Sequence, residues 1–307
     1  MKKPARTQAV SVAIASIGRP SLAGTLRSLA RVSLPAGIDL SVVVADDSRD
    51  GAATRLVKGL DLGCLPVTCL PVASANISSA RNALLDAVPG GWLIFVDDDE
   101  WVERDWLERL FACQRDFRAD VVIGPVIPDY PEDTPAWLVR ANPLFMNWGH
   151  RGKRLTTGRG GNTLVRMDMV RRFGLRFDPA LGLTGGEDTA FFAEAAALGA
   201  VIVATDDAIA REHVPAERLL PSYILSRARR AGQSYANMRM AGADAGRRVP
   251  VALDALAKCS VAGLAMLVLR PFDRAASFRM RQKFALNRGK LRAVFGLPLA
   301  ELYRQPA

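Results

Sequence analysis

Short apolar runs separated by amphipathic stretches mark out the first part of the chain. Val10 to Ala15 has the length of a strand, Ser16-Ile-Gly-Arg-Pro20 reads as a turn, and Leu22, Leu26 and Leu29 then recur at helical spacing. Leu40 to Ala45 is a second strand, ending in Asp46-Asp47-Ser48, and Val67 to Pro71 is a weaker third. Ile77, Ala80, Leu84 and Ala87 place a helix over 76–87, stopped by Pro89-Gly90-Gly91. The strand Trp92 to Val96 follows, then a helix over 101–111 and a strand over 121–125. Strands alternating with helices predict an α/β fold with a doubly wound, mainly parallel sheet. Ligands of such sheets bind at the carboxyl ends of the strands, where Asp46/Asp47 and the acids after Val96 both fall.

The later chain is less regular. Residues 128–158 carry Trp137, Trp148 and His150 and form either the floor or lid of a crevice or an ordinary packed insertion. Thr163 to Val165 is apolar, Leu183-Thr-Gly-Gly-Glu-Asp188 opens a helix that continues over 189–198, and Val201 to Ala204 is a further strand. From Pro221 the texture turns helical and basic, dividing the chain into a sheet domain over 1–215 and a helical extension over 216–307. Val249 to Leu269 is mostly apolar, but Asp254 and Lys258 leave only eleven uninterrupted residues, short for a membrane span. An apolar helix followed by a basic one can lie in the surface of an anionic membrane; the competing reading is a helical pair packed on the sheet.

Composition narrows the classes. Half of the 307 residues are hydrophobic, which excludes wholesale disorder. Four cysteines and two histidines without metal-ligand spacing predict reduced thiols and no zinc. The basic N-terminus lacks the apolar core of a signal peptide, so a cytoplasmic location on the inner face of the cell membrane is expected. A net charge of +10 calls for an anionic partner: nucleic acid, a lipid surface or a phosphorylated substrate. Eight basic residues against Asp273 alone over 270–292 concentrate the excess at the tail.

The strongest chemical signal is Asp97-Asp98-Asp99-Glu100 at a strand end. Neighbouring carboxylates repel, and a cation that shares them removes the penalty. Hard oxygen ligands suit a divalent ion that also holds a phosphate.

Together, Ile14-Ala-Ser-Ile-Gly-Arg-Pro20, Val43-Val-Ala-Asp-Asp-Ser48, Ala80-Arg81-Asn82, Phe95-Val-Asp-Asp-Asp-Glu100, Gly160-Gly-Asn162 and Gly186-Glu-Asp188 resemble the family 2 glycosyltransferases, inverting enzymes of the GT-A fold. The resemblance covers roughly 9–215 and lies in the order and spacing of the motifs. It implies a divalent metal, Mn²⁺ or Mg²⁺, a nucleotide-diphosphate sugar as donor, and a glycan or lipid-linked acceptor in exopolysaccharide, capsule or lipopolysaccharide synthesis. It assigns Asp99, Asp97 and His213 to the metal, and Asp188, with Glu187 beside it, to the general base. Ala15, Arg19, Asp46, Asp47, Arg81, Asp97, Asp98, Gly161 and Asn162 fall to the donor, with Asp98 in one register turned toward the sheet edge. Gln233-Ser-Tyr-Ala-Asn lacks the Arg and Trp of the processive synthases' Q-x-x-R-W, so transfer of a single sugar is expected. Two rivals are weaker: a nucleotidyltransferase needs a glycine-rich basic loop that 16–20 does not supply, and a nucleic-acid binder leaves the acids unexplained.

Overall fold

A computed structural model describes residues 7–88, 90–146, 148–183, 185–240 and 245–298. Pro89 of the expected helix stop and Thr184 before the Glu-Asp pair lie outside them. The chain divides into two compact units: Met1–Ile127, Met146–Leu183 and Glu187–His213 form one, and Pro128–Phe145, Thr184–Gly186 and Val214–Ala307 the other.

The first unit begins with β1 (Gln8–Ser16), α1 (Ser21–Leu29), β2 (Ile38–Asp46), α2 (Ala52–Lys58), β3 (Val67–Pro71), α3 (Ile77–Ala87) and β4 (Trp92–Phe95). Each βαβ step returns the chain parallel to its start, and β1 pairs in parallel with both β2 and β4, and β2 with β3. Next come β5 (Glu100–Val102), α4 (Trp106–Phe117), β6 (Val121–Ile123) and β7 (Val126–Asp129), whose last two residues belong to the second unit, followed there by α5 (Ala136–Ala141). In the first unit again, β8 (Thr163–Arg166), α6 (Met167–Phe173), α7 (Glu187–Ala197), β9 (Ile202–Ala204) and β10 (Ala210–His213) complete the sheet unit.

The seven-stranded sheet runs β3-β2-β1-β4-β8-β6-β9. It is mainly parallel, as expected, with one reversed strand, β8, antiparallel to β4 and β6. β4 is buried along its whole length, as a central strand covered on both faces must be. One apolar cluster, with Leu22, Leu26, Trp106 and Phe111, lies on one side of the sheet, and another, with Leu84, Phe95, Phe177 and Phe191, on the other.

The helix expected over 101–111 starts later, at Trp106, and 100–102 is a strand instead. Glu100 and Val102 are buried and Trp101 is half-buried, a period-two pattern that fits pairing with β10.

The second unit contains α5, then α8 (Pro221–Met240), α9 (Ala245–Leu269) and α10 (Arg274–Val294). Trp137 packs edge-on against Phe278 at 5.3 Å, with the Arg274 guanidinium 4.2 Å from its centroid. Residues 128–145 thus group with the helices, and Trp137 serves as an anchor of their core. Arg248–Leu269 is one unbroken helix, long and apolar enough by length and composition to cross a membrane. Within it the two charges that interrupt the apolar run, Asp254 and Lys258, pair at 2.7 Å one turn apart.

Candidate active site

The acids that follow β4 part company at once. Asp98 turns inward: its Oδ2 accepts from Ser16 Oγ at 2.6 Å, Arg19 lies 3.3 Å from its Oδ1, and its backbone carbonyl accepts from Thr25 Oγ1 at 3.1 Å. Burial pushes its carboxyl above the ordinary aspartate value, and the Asp97 charge adds to this against Ser16 and Arg19. Glu100 is buried outright, accepting from Asp97 N at 3.2 Å and from Arg159 at 3.0 Å. Burial raises its pKa well above normal, helped by Asp97 and opposed by Arg159. Asp97 and Asp99 remain at the surface of the site, with side chains 38% and 16% exposed.

Two arginines, Arg81 buried and Arg159 half-buried, hold this arrangement. Arg81 donates to Glu187 Oε1 at 2.6 Å and lies 3.5 Å from Asp97 Oδ1, its guanidinium 5.6 Å from the Phe177 centroid. Asn82 positions that ring, donating to Phe177 O at 2.8 Å and accepting from Phe177 N at 2.9 Å. Arg159 bridges Asp97 Oδ2 at 3.5 Å and Glu100. Gly160 and Gly161 make room for both: a Cβ on Gly160 would lie 2.3 Å from Arg81, and one on Gly161 2.4 Å from Glu100 Oε1. No side chain larger than hydrogen fits there without moving the charged groups.

Glu187 and Asp188 open α7, where the helix N-terminus favours negative charge. Glu187 is buried against Arg81, and burial, then the Asp188 charge, lifts its pKa while Arg81 opposes the rise. Asp188 is half-buried; its Oδ1 accepts from Thr189 N at 2.6 Å and its Oδ2 from Gly160 N at 3.2 Å. An ionised carboxylate has about four acceptor positions. Among the described residues, these bonds and one from Thr189 Oγ1 leave one position on Oδ2.

Asp46 and Asp47 sit at the end of β2 and both are engaged by their own chain. Asp46 accepts from Thr54 N at 2.8 Å and Thr54 Oγ1 at 2.6 Å, and also from Ser48. Burial would raise its pKa, but the bonds from Ser48 and Thr54 outweigh it and hold the value below normal. Asp47 accepts from Ser74 N at 2.6 Å, Ala75 N at 3.0 Å and Asn76 N at 3.0 Å. It pins a loop in which Ala73 and Ala75 take φ of 49° and 50°, backbone that is costly for an L residue. Ala15 pairs with Ala45 beside them.

Asn162 requires a correction. Its side chain accepts from Trp106 Nε1 at 2.7 Å and donates to Pro125 O at 2.7 Å and Ala208 O at 2.8 Å, fully buried. Its amide therefore ties strand ends together, and Gly160 and Gly161 beside it are buried against Arg81, Glu100 and Arg159. Arg159, to which the sequence assigns no role, joins the site because it directly precedes the glycine pair, and Glu100 enters it as the buried end of the acid run.

His213 is exposed at the end of β10. The β5–β10 ladder ends with Glu212 paired to Glu100, one residue short of His213, and Asp99 lies in the turn before β5. No three His, Cys, Asp or Glu side chains among the described residues are grouped to hold a metal by themselves. Asp97 and Asp99 fit a hard divalent ion that takes its remaining oxygens from a ligand. Charge agrees: Arg19, Arg81 and Arg159 lie among six acids, Asp97, Asp98, Asp99, Glu100, Glu187 and Asp188.

Comparison with known proteins places this arrangement. The chain is 33% identical over 305 residues to the succinoglycan biosynthesis protein ExoM of Rhizobium meliloti (strain 1021), covering 98% of this chain and 97% of that one. Its fold is similar to that of the mannosyltransferase PcManGT from Pyrobaculum calidifontis in complex with GDP-Man and Mn²⁺, with TM-score 0.61, 17% identity, and 96% and 91% of the two chains covered. S. aureus TarS 1-349 in complex with UDP-GlcNAc gives TM-score 0.55 at 17% identity, covering 94% and 92%. Residues 11–179, which run from β1 through the acid cluster and the glycine pair to the segment before α7, match the glycosyl transferase family 2 model, and the chain belongs to that family.

Proposed function

We propose that this enzyme is a metal-dependent, inverting glycosyltransferase that moves one sugar from a nucleoside-diphosphate sugar to a hydroxyl of a glycan or lipid-linked acceptor in the synthesis of a bacterial surface polysaccharide. The observation that carries the reading is the sorting of the carboxylates. Asp98, Glu100 and Glu187 are buried in internal contacts, while Asp97, Asp99 and Asp188 stand where a ligand can reach them. The similarity to a protein of succinoglycan biosynthesis supports the product class.

Asp188 takes the proton from the acceptor hydroxyl. The acceptor oxygen forms its bond to the anomeric carbon from the face opposite the diphosphate, whose oxygen leaves with the bonding electrons, so the configuration inverts. Glu187 does not compete for this proton: its raised pKa suits a base, but its carboxylate is buried on Arg81, and reach comes before basicity. Asp99 and Asp97, with His213 as the outlying candidate, would hold a divalent ion, which when bound would supply positive charge for the departing diphosphate. Arg81 and Arg159 fix Asp97, and Gly160 and Gly161 leave the room that Arg81, Arg159 and Glu100 occupy. Asp46 and Asp47 hold the end of β2 and the 74–76 loop, which together frame the nucleobase, with Ala15, Arg19 and the Asp98 backbone beside them. A panel of nucleoside-diphosphate sugars tests the reading: one donor should be hydrolysed slowly with Mn²⁺ or Mg²⁺ and not with EDTA. Failure of every donor, with and without acceptors, would reject it.

We also infer that the helical unit rests on the cytoplasmic surface of an anionic membrane. From Val214 onward there are 17 Lys and Arg against 5 Asp and Glu, while the remaining residues carry 24 against 26. On α9, Ala255, Cys259 and Ala262 form the buried stripe, and Leu253, Leu256, Val261, Leu264, Leu267 and Val268 are exposed. So much apolar surface beside so much positive charge matches a bilayer interface, where each nearby Lys or Arg adds about 1 kcal/mol. Leu256→Glu with Leu264→Glu should abolish co-sedimentation with phosphatidylglycerol vesicles at unchanged fold. Equal sedimentation of variant and parent would reject the surface.

A further inference from the structure

The second unit contains a cavity of about 410 Å³ bounded by α8, α9 and α10. Its polar lining is Arg229, Arg281 and Arg288 with Ser226, and its apolar lining is Leu225, Met266 and Phe284. No carboxylate lies within ion-pair distance of these three arginines among the described residues, and Arg229 donates only weakly, to Ser226 Oγ at 3.3 Å. Arg229 Nε is buried and has no hydrogen-bond partner there. An unpartnered buried donor is costly, about 1–3 kcal/mol, so this nitrogen is held without compensation by the protein's own groups among the described residues.

The cavity is built rather than incidental. Where α8 crosses α10, a Cβ on Gly232 would fall 1.8 Å from Leu286 O, and one on Gly289 would fall 1.8 Å from Arg229 O. Backbone rests on backbone at that crossing, so the residues that carry Arg229 and Arg288 are fixed to each other. At its other side the cavity meets Met266, whose neighbours Leu267 and Val268 belong to the exposed apolar face of α9.

Guanidinium groups suit phosphate oxygens, and an apolar wall leading out to an exposed apolar face suits hydrocarbon. We propose that this cavity binds the phosphate-bearing head of a membrane lipid together with the first carbons of its chain. The assignment rests on the reading of this unit as membrane-facing, and it specifies the chemistry by which a lipid-linked acceptor would be recognised: its phosphate, not its sugars. Free phosphate would satisfy the arginines but leave Leu225, Met266 and Phe284 without a role.

The test uses the full chain and calorimetric titration with decyl phosphate below its micellar concentration, alongside inorganic phosphate and decyl maltoside. Decyl phosphate should bind saturably at one site, at least about tenfold tighter than either control, and Arg281→Gln with Arg288→Gln should weaken it at least about tenfold. Both arginines are exposed, so the fold should survive; Met266→Ser is the second variant and should weaken decyl phosphate while leaving inorganic phosphate unchanged. Equal binding of decyl phosphate by parent and double variant, or inorganic phosphate binding as tightly as decyl phosphate, would overturn the proposal. Vesicle sedimentation of the parent separates the two ideas. Sedimentation without decyl phosphate binding removes the cavity and keeps the membrane surface, and binding without sedimentation does the reverse.

Discussion

Asp188→Asn should leave donor binding within about twofold of the parent and reduce transfer by a factor of about 10² to 10⁴, the range that a positioned general base contributes. The substitution keeps the size of the side chain and an oxygen for Thr189 N–H, so α7 retains its first turn. It removes the charge and the remaining acceptor position on Oδ2, so no group there can take a proton. Donor affinity by titration and turnover with acceptor must therefore separate. Glu187→Gln should behave differently: it strips the ion-pair partner from the buried Arg81, so its main effect should be a loss of stability, about 3–5 kcal/mol if the pair is broken outright. Transfer within tenfold of the parent in Asp188→Asn would return the base role to Glu187.

The elements that the sequence made legible were those whose burial has a simple period. Trp92–Phe95, Val67–Pro71 and Ile77–Ala87 stand where apolar spacing placed them, the last with Asn76 accepting from Ser78 N and Ser79 N as its cap. The acid run was legible as a strand end but not in its internal sorting. Which of four neighbouring carboxylates turns inward depends on Ser16, Thr25 and Arg159, which are distant in sequence. Glu100 shows why: its place is set by pairing with Glu212 on β10, a register no local pattern contains. The same holds for Asn162, which looked like a ligand contact beside two glycines and is instead the tie among Trp106, Pro125 and Ala208. For α9 the structure adds that Asp254 and Lys258, which interrupt the apolar run, lie one turn apart and pair.

Asp99→Ala should lower metal-dependent donor affinity by at least about 100-fold, since loss of groups that merely orient metal ligands already costs 10- to 100-fold. Asp99 is the better ligand of the two reachable acids for an electrostatic reason. Asp97 lies between Arg81 and Arg159, each 3.5 Å away, and a cation there meets two positive charges. Asp99 has the half-exposed Arg19 at 3.8 Å, one cation where Asp97 has two. Donor titrations of parent and variant, each with Mn²⁺ and with EDTA, should show a metal-dependent difference in the parent that collapses in Asp99→Ala. Asp98→Asn is the informative contrast, because Asp98 spends its carboxylate on Ser16 and Arg19: it should melt earlier yet keep its response to Mn²⁺. Parent-like donor affinity in Asp99→Ala would move the metal to Asp97, and the two arginines would then have to be read as holding the diphosphate around it.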